Sequence, residues 1–322
     1  MKMAKAINEL HTPVALEYAM EILAPALTGE SPVLVDGTLG LGGHTEAFLD
    51  KFPNLTVIGI DRDEKALELA ATRLARFGAR ARFAHAVYSE ILDVIEGEGF
   101  DSVDAVLLDL GVSSMQLDEA ERGFAYSFDT PLDMRMNQAS GITAAEVLNT
   151  YSEGDLARIF KEFGEERYSK QIANAVALRR KSEVFSSSAD LAALVSKIVP
   201  FIPGKTTGHP AKRVFQALRV EVNGELEILE DTIPAALEAL RVGGRILVMS
   251  YHSLEDGIVK ASLVRAATSQ TPIEMPIELP EHAPIVRMLT KGTAVASDAE
   301  KLTNPRAASV RMRAAEKIRD AA

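Results

Sequence analysis

The sequence predicts an α/β fold, a mostly parallel sheet with helices on both faces, interrupted by one inserted helical segment. Three observations carry this. A glycine-rich turn, DGTLGLGGH from Asp36 to His44, follows the apolar run PVLV and precedes a helix-like stretch. Two later apolar runs, VIGI and AVLL, end in Asp61 and Asp109. From 118 to about 220 the alternation stops, and helix-like segments follow one another with no strong strand between them.

Residues 14 to 27 read as a helix with the stripe Val14, Leu16, Ala19, Met20 and Leu23. A strand at 33–36, the glycine turn, a helix near 44–51 and a strand at 55–60 follow. A helix fits 63–76, where Ala66, Leu67, Ala70 and Leu74 share a face. Arg82 to Ala86 reads as a short strand, and DAVLLD at 104–109 as a buried one. The inserted segment holds helix patterns at 143–149, 153–161, 167–181 and 188–198. The sheet pattern returns with a helix at 224–240 and the strand GRILVMS at 244–250. Residues 266 to 300 contain prolines and read as an irregular arm or a hairpin, ahead of a basic C-terminal tail. The expected division is therefore 1–117, an insertion at 118–220, and 221–322.

The 322 residues suffice for one large domain or two modest ones, and 47% hydrophobic content supports a substantial core. The absence of cysteine excludes disulfides, thiolate zinc sites and cysteine nucleophiles, and fits a reducing cytoplasm. The first residues lack a continuous apolar h-region, and no apolar run reaches membrane-spanning length, so no membrane role is expected. A net charge of -11 argues against indiscriminate nucleic-acid binding, but charge distribution matters more than its sum. Gly204 to Val220 carries Lys205, Lys212, Arg213 and Arg219 with no acid. The stretch from Lys301 onward has six Lys or Arg against Glu316 and Asp320. Both read either as ordinary solvated faces or as phosphate-facing patches on an acidic body.

A glycine turn after one strand and an acid at the end of the next is the layout of a nucleoside-cofactor site. The turn lets backbone approach the ligand, and the Asp61 carboxylate can accept from both ribose hydroxyls. The spacing is neither GxGxxG nor a P-loop, which disfavours a dinucleotide or nucleoside triphosphate. Asp109 ends a third strand near the same edge, and Tyr88 supplies a flat ring for an adenine or, equally, a core tyrosine. Beyond Asp109, the polar residues Gly111, Ser113, Ser114, Gln116, Arg122, Asp133 and Arg135 interleave with Leu110, Val112, Met115, Leu132 and Met134. That pattern reads as a partly buried polar wall, with Ser113, Ser114 and Arg135 facing substrate. A second loop, Ser250 to Asp256, offers Tyr251, His252, Ser253, Glu255 and Asp256. No metal is expected, because His252 lacks a second histidine at ligand spacing. A serine hydrolase is disfavoured by the missing G-x-S-x-G elbow.

With these motifs in view, the chain closely resembles the bacterial ribosomal-RNA small-subunit methyltransferase H family, also called MraW. The matching segments are DGTLGLGGHT, GIDRDEKA, LLDLGVSSMQLDEAERGF, PLDMRM, GEERYSKQIANAV, FQALRVEVNGEL, SYHSLEDGIVK and NPRAASVRMR, spanning His11 to Arg313. The resemblance implies a class I (Rossmann-like) S-adenosylmethionine-dependent methyltransferase sheet with an inserted helical domain. It implies transfer of the methyl group to N4 of cytidine 1402, in the usual bacterial numbering, in 16S rRNA of the small-subunit decoding region. By the family pattern Gly42, Gly43, His44, Asp61, Tyr88, Asp109 and Gln116 fall on the cofactor-binding positions. The family usually has arginine where this chain has Gly257, and NPRSRSAKLR where it has NPRAASVRMR. Both changes remove a basic side chain near the expected RNA face.

Chemistry narrows the remaining roles. A cytosine N4 lone pair is delocalised into the ring, so transfer needs in-line placement and an acceptor for an N4 hydrogen. Asp109, His252 and Asp256 are the catalytic candidates, with Asp256 as the acid orienting His252. Tyr251 is expected to stack on the target base, and Lys212, Arg213 and Arg219 to hold flanking phosphates. Lys212, Phe215 and Arg219 are expected on one helix face. The expected partner is 16S rRNA within the small ribosomal subunit, with the protein a monomer or homodimer. Two competing readings stand beside this one: an amino methyltransferase of another RNA or DNA base, and a nonenzymatic ribosome-assembly factor.

Overall fold

The computed structural model describes residues 13–125, 129–200, 209–272, 274, 275, 277 and 279–320. It forms two compact units, divided between Gly111 and Val112 and again between Glu225 and Leu226. The helical unit, Val112 to Glu225, thus begins before and ends after the expected 118–220.

The first unit carries a seven-stranded sheet: β1 (Val33–Asp36), β2 (Thr56–Asp61), β3 (Ala81–His85), β4 (Val103–Asp109), β5 (Leu240–Ser250), β6 (Val286–Met288) and β7 (Arg311–Lys317). Their order is β3-β2-β1-β4-β5-β7-β6. β1 to β5 pair in parallel, whereas β7 runs antiparallel to both β5 and β6. This is the doubly wound, Rossmann-like sheet that the sequence predicts.

Both faces of the sheet are covered, so β1, β2 and β4 read as apolar runs rather than as alternating patterns. Leu34, Val57, Ala105, Leu107, Leu247 and Met249 join one core, with helices Leu16–Leu23, Gly43–Lys51 and Glu64–Leu74. Val33, Val35, Ile58, Ile60, Val106, Leu108, Ile246 and Val248 join the other, with Ile91, Leu229, Val259 and Leu263 from the opposite helices. The alternation is the two-residue period of a strand. Gly59 is the gap on β2 that admits Leu39: a Cβ there would come 2.7 Å from the leucine.

The C-terminal basic stretch is not a tail. Arg311–Lys317 is the strand between β5 and β6, paired from Arg245↔Glu316 to Ser250↔Arg311. Two of its three cations are spent inside the fold, while Arg311 is exposed. Arg313 is buried against Asp256, and the buried Lys317 ammonium donates to the carbonyls of Glu238 and Leu240 at 3.0 and 2.6 Å. The irregular arm includes a hairpin partner, because β6 pairs with β7.

The second unit has its own core, built from helices Ala144–Thr150, Glu153–Glu162, Ser169–Arg179, Ser188–Ile198 and Lys212–Asn223. Asn223, buried, accepts from the Met136 N–H and donates to the Met134 carbonyl, both at 2.8 Å. The PLDMRM segment is thereby tied to the last turn of a helix about ninety residues away.

Candidate functional site

The carboxyl ends of β1, β2 and β4 lie side by side in the sheet, and each ends in an aspartate. Asp36 is buried; it accepts from the Thr45 hydroxyl at 2.7 Å and the Thr38 N–H at 3.4 Å. Burial pushes its carboxyl above the ordinary range. The side chain braces the glycine turn to the helix that follows.

At three of its glycines the turn leaves no room for a side chain. Gly37 donates to the Leu107 carbonyl at 2.9 Å, and a Cβ on it would lie 2.5 Å from Leu108. Gly42 has φ +73°, and its Cβ would meet Leu74 at 2.9 Å. Gly43 has Pro13 at 2.8 Å. Packing inside the protein thus already demands these glycines, and the resulting turn keeps its backbone at the sheet edge.

Asp61 anchors the same turn from β2. One carboxylate oxygen accepts from the Gly40 N–H at 2.8 Å and the other from the Asp63 N–H at 2.9 Å. Burial pushes its carboxyl up to about 6, against the pull of those two hydrogen bonds. Tyr88 follows β3, the neighbour of β2, and sits half-buried with the Arg62 guanidinium 5.9 Å from its ring centre. A carboxylate and a flat ring at adjacent strand ends are what a ribose and its base require.

Asp109 ends β4 and is held from three sides. Its N–H donates to the Thr38 hydroxyl at 2.6 Å. The Tyr251 hydroxyl donates to its Oδ1 at 2.6 Å. His44 Nδ1 lies 3.9 Å from its Oδ2. The second His44 nitrogen, Nε2, meets the Val14 carbonyl at 2.9 Å and must carry a hydrogen, since a carbonyl only accepts. Burial pushes the Asp109 carboxyl up; His44 and the Tyr251 hydrogen bond oppose this, and the Asp36 and Glu255 carboxylates add to it. Burial and the Asp109 carboxylate likewise push the Tyr251 phenol far above its ordinary range, so it stays a donor. Tyr251 is therefore tethered to Asp109, an arrangement the expected base-stacking role did not include.

The expected pairing of His252 with Asp256 does not occur. His252 caps helix Ser253–Ala266, with extended backbone at φ -140°, and its Nδ1 accepts from the Glu255 N–H at 3.5 Å. Its Nε2 lies 3.1 Å from Glu255 Oε1, outside hydrogen-bonding geometry. Asp256 instead binds Arg313 through both oxygens, at 2.7 and 3.1 Å. Asp256 is therefore not placed as the acid that orients His252.

In the helical unit, Ser113 and Gln116 form a reciprocal cap. The Gln116 side-chain oxygen accepts from the Ser113 N–H at 3.0 Å, and the Ser113 hydroxyl from the Gln116 N–H at 3.3 Å. Ser114 opens the short helix that this cap starts. Arg135 grips Asp133 through two nitrogens at 2.8 and 2.9 Å. Of the basic segment, Lys205 lies outside the described residues. Lys212 and Arg213 are exposed, and Arg213 donates to the Glu165 carbonyl at 2.6 Å. Phe215 is buried in the unit's core, and Arg219 pairs with the buried Glu225 through two hydrogen bonds of 2.9 Å. The expected Lys212–Phe215–Arg219 face is therefore a packing face except at Lys212. Sequence reasoning missed three contributors: Asp36, Thr38 and the positioning contacts of Glu255. Their only signal was a polar residue at, or within a few residues of, a strand end.

Residues 8–318 match the MraW methylase family. The chain is 57% identical over 311 residues to the ribosomal RNA small subunit methyltransferase H of Nocardia farcinica, covering 96% of each chain. It is 53% identical over 314 residues to the protein of that name from Saccharopolyspora erythraea, covering 98% of this chain and 95% of the relative. A third such relative, from Pseudarthrobacter chlorophenolicus, is 52% identical, with 98% and 97% covered.

Proposed function

Because the chain belongs to the MraW methylase family of S-adenosylmethionine-dependent methyltransferases, we propose that it methylates N4 of cytidine 1402 in 16S rRNA of the small ribosomal subunit. The observation that carries the reading is the near-full-length match to small-subunit methyltransferases, joined to an acidic, glycine-lined sheet edge of the chemistry they need.

The residues present fit the cofactor. Asp61 is poised to accept from ribose hydroxyls, Tyr88 offers a ring face to adenine, and Asp36 and Asp109 make the edge favourable for a cation. Gly42, Gly43 and His44 keep the turn close to the strand edge. When bound, S-adenosylmethionine supplies an electrophilic methyl group on a positively charged sulfur.

The protein's part is placement and charge. N4 of cytosine is a poor nucleophile until it pyramidalises, and it becomes positive as the new bond forms. An oriented carboxylate favours both changes, and Asp109 is the acid at the centre of the strand edge. The N4 proton then leaves to Asp109 or to water. The target base must leave its stack to reach this edge, and Lys212 and Arg213 are the exposed cations offered to flanking phosphates. The reading places the enzyme in the cytoplasm, acting on the small subunit.

Small subunits carrying uridine at position 1402 provide the test, since uridine has no exocyclic amine. Labelled methyl transfer to unmodified subunits and none to the uridine subunits is the expected result. Equal transfer to both would overturn the assignment of the acceptor.

A further inference from the structure

Glu255 is 2% exposed, and its position is unusual for a carboxylate that merely starts a helix. A capping acid at the third helical position normally reaches back to the N–H of the cap residue. Glu255 does so, accepting from the His252 N–H at 3.2 Å, but its shorter bond, 2.7 Å, goes one residue further out, to the N–H of Tyr251. Tyr251 lies just beyond the end of β5, and its ring runs along the end of β4. A Cβ on Gly111 would be 3.6 Å from the ring's Cδ2, and the hydroxyl reaches Asp109 Oδ1.

We infer that Glu255 is a positioning residue for the transfer site: it fixes the backbone of Tyr251, and Tyr251 in turn fixes which oxygen of Asp109 is presented. With Oδ1 occupied by the phenol, Oδ2 is the oxygen left on the His44 side for a ligand. The charged and titratable groups that bear on Asp109 are His44 from the helix after the turn, Asp36 from β1, and Tyr251 and Glu255 from the segment after β5. Removing the phenol deletes a neutral donor to that carboxylate. It leaves a carboxylate facing two other acids, which then ionises less readily. The inference rests on the reading that S-adenosylmethionine binds at this edge.

The test is calorimetric titration of S-adenosylmethionine into the full-length protein across a range of pH, without RNA. The variants are Tyr251→Phe, Glu255→Ala, the double variant and the conservative Glu255→Gln. Tyr251→Phe and Glu255→Ala are each expected to weaken binding about tenfold, the scale of one hydrogen bond to a charged group. The acid limb of the binding profile moves to higher pH in Tyr251→Phe, which loses a donor to Asp109, and less in Glu255→Ala, which also removes an acid beside it. The double variant binds within about twofold of the weaker single, because the two residues act through one chain. Glu255→Gln, which keeps an acceptor for the Tyr251 N–H, recovers most of the affinity. Wild-type binding with Tyr251→Phe unchanged in affinity and pH profile would overturn the inference alone. So would single-variant losses that multiply in the double. No binding by the wild-type chain would overturn the cofactor reading itself. Should Glu255→Ala not fold by circular dichroism, Tyr251→Phe decides by its pH limb.

Discussion

Arg313 and Asp256 form a two-pronged ion pair, Nε to Oδ1 at 2.7 Å and Nη2 to Oδ2 at 3.1 Å, that joins β7 to helix Ser253–Ala266. Arg313 also donates to the Gly292 carbonyl and the Thr293 hydroxyl, so one guanidinium ties three segments together. Both partners are buried. Asp256→Ala would strand a buried cation and is expected to cost about 3–5 kcal/mol in urea unfolding. The double variant Asp256→Ala with Arg313→Met should recover part of that loss. An unchanged unfolding midpoint in Asp256→Ala would show that the pair is not structural.

Asp61 titrates in a usable range. Its carboxyl is pushed up to about 6, so it is ionised above that pH and protonated below it. The ionised form accepts from ribose hydroxyls, and protonation removes the charge and part of that capacity. S-adenosylmethionine affinity is therefore expected to be full well above pH 6 and to fall as the pH drops through it. Asp61→Asn should lose the step and bind at least about tenfold more weakly at neutral pH. Titration at several pH values checks both; a step that persists in Asp61→Asn would assign it to another group.

Gly42 is held at φ +73° with Leu74 2.9 Å from its missing Cβ. Gly42→Ala pays the left-handed penalty and must also push Leu74 aside. A loss of about 1–2 kcal/mol from backbone conformation alone is expected in denaturant unfolding, with weaker cofactor binding because the turn shifts. Unchanged stability and affinity would mean that the turn adapts without cost.

The basic residues of helix Lys212–Asn223 divide into two kinds. Lys212→Ala, at an exposed position, is expected to weaken small-subunit RNA binding severalfold and to reduce its salt slope by about one, with cofactor affinity unchanged. Arg219→Ala breaks the pair with buried Glu225 and should instead lower stability by about 3 kcal/mol. Filter binding and thermal unfolding of both variants separate these roles. RNA affinity lost through Arg219 with stability intact would reverse the assignment.

Gly257 lies on the exposed side of helix Ser253–Ala266, and a Cβ there meets nothing within 4 Å. Gly257→Arg, restoring the residue usual in the family, is expected to gain about 0.5–1 kcal/mol from helix propensity. It should also tighten small-subunit binding through its charge. A fall in melting temperature would contradict the open position.

The sheet was largely legible because strands buried on both faces are written as apolar runs between turn residues. Val33–Asp36 and the helices at 153–162 and 188–198 stand where their patterns place them. Two parts were not legible. Arg311–Lys317 carries three cations and an acid, so it reads as a solvated tail. Its burial depends on Asp256 and on two distant carbonyls that no local pattern reveals. His252 and Asp256 read as an acceptor and its orienting acid in one loop, but His252 is the non-helical cap of a helix and Asp256 turns to Arg313 on a distant strand. The Tyr251–Asp109 bond joins residues 142 positions apart, a pairing that only the adjacency of β4 and β5 creates.

The central claim is that this acidic strand edge methylates one cytosine amine in the decoding region. The most direct measurement is mass spectrometry of nucleosides and mapped fragments from small subunits of cells lacking the gene, incubated with the protein and methyl-labelled S-adenosylmethionine. Labelled N4-methylcytidine at position 1402, lost in Asp109→Ala, is the expected result. Label on another base or position, or none from a protein that binds the cofactor, would contradict it.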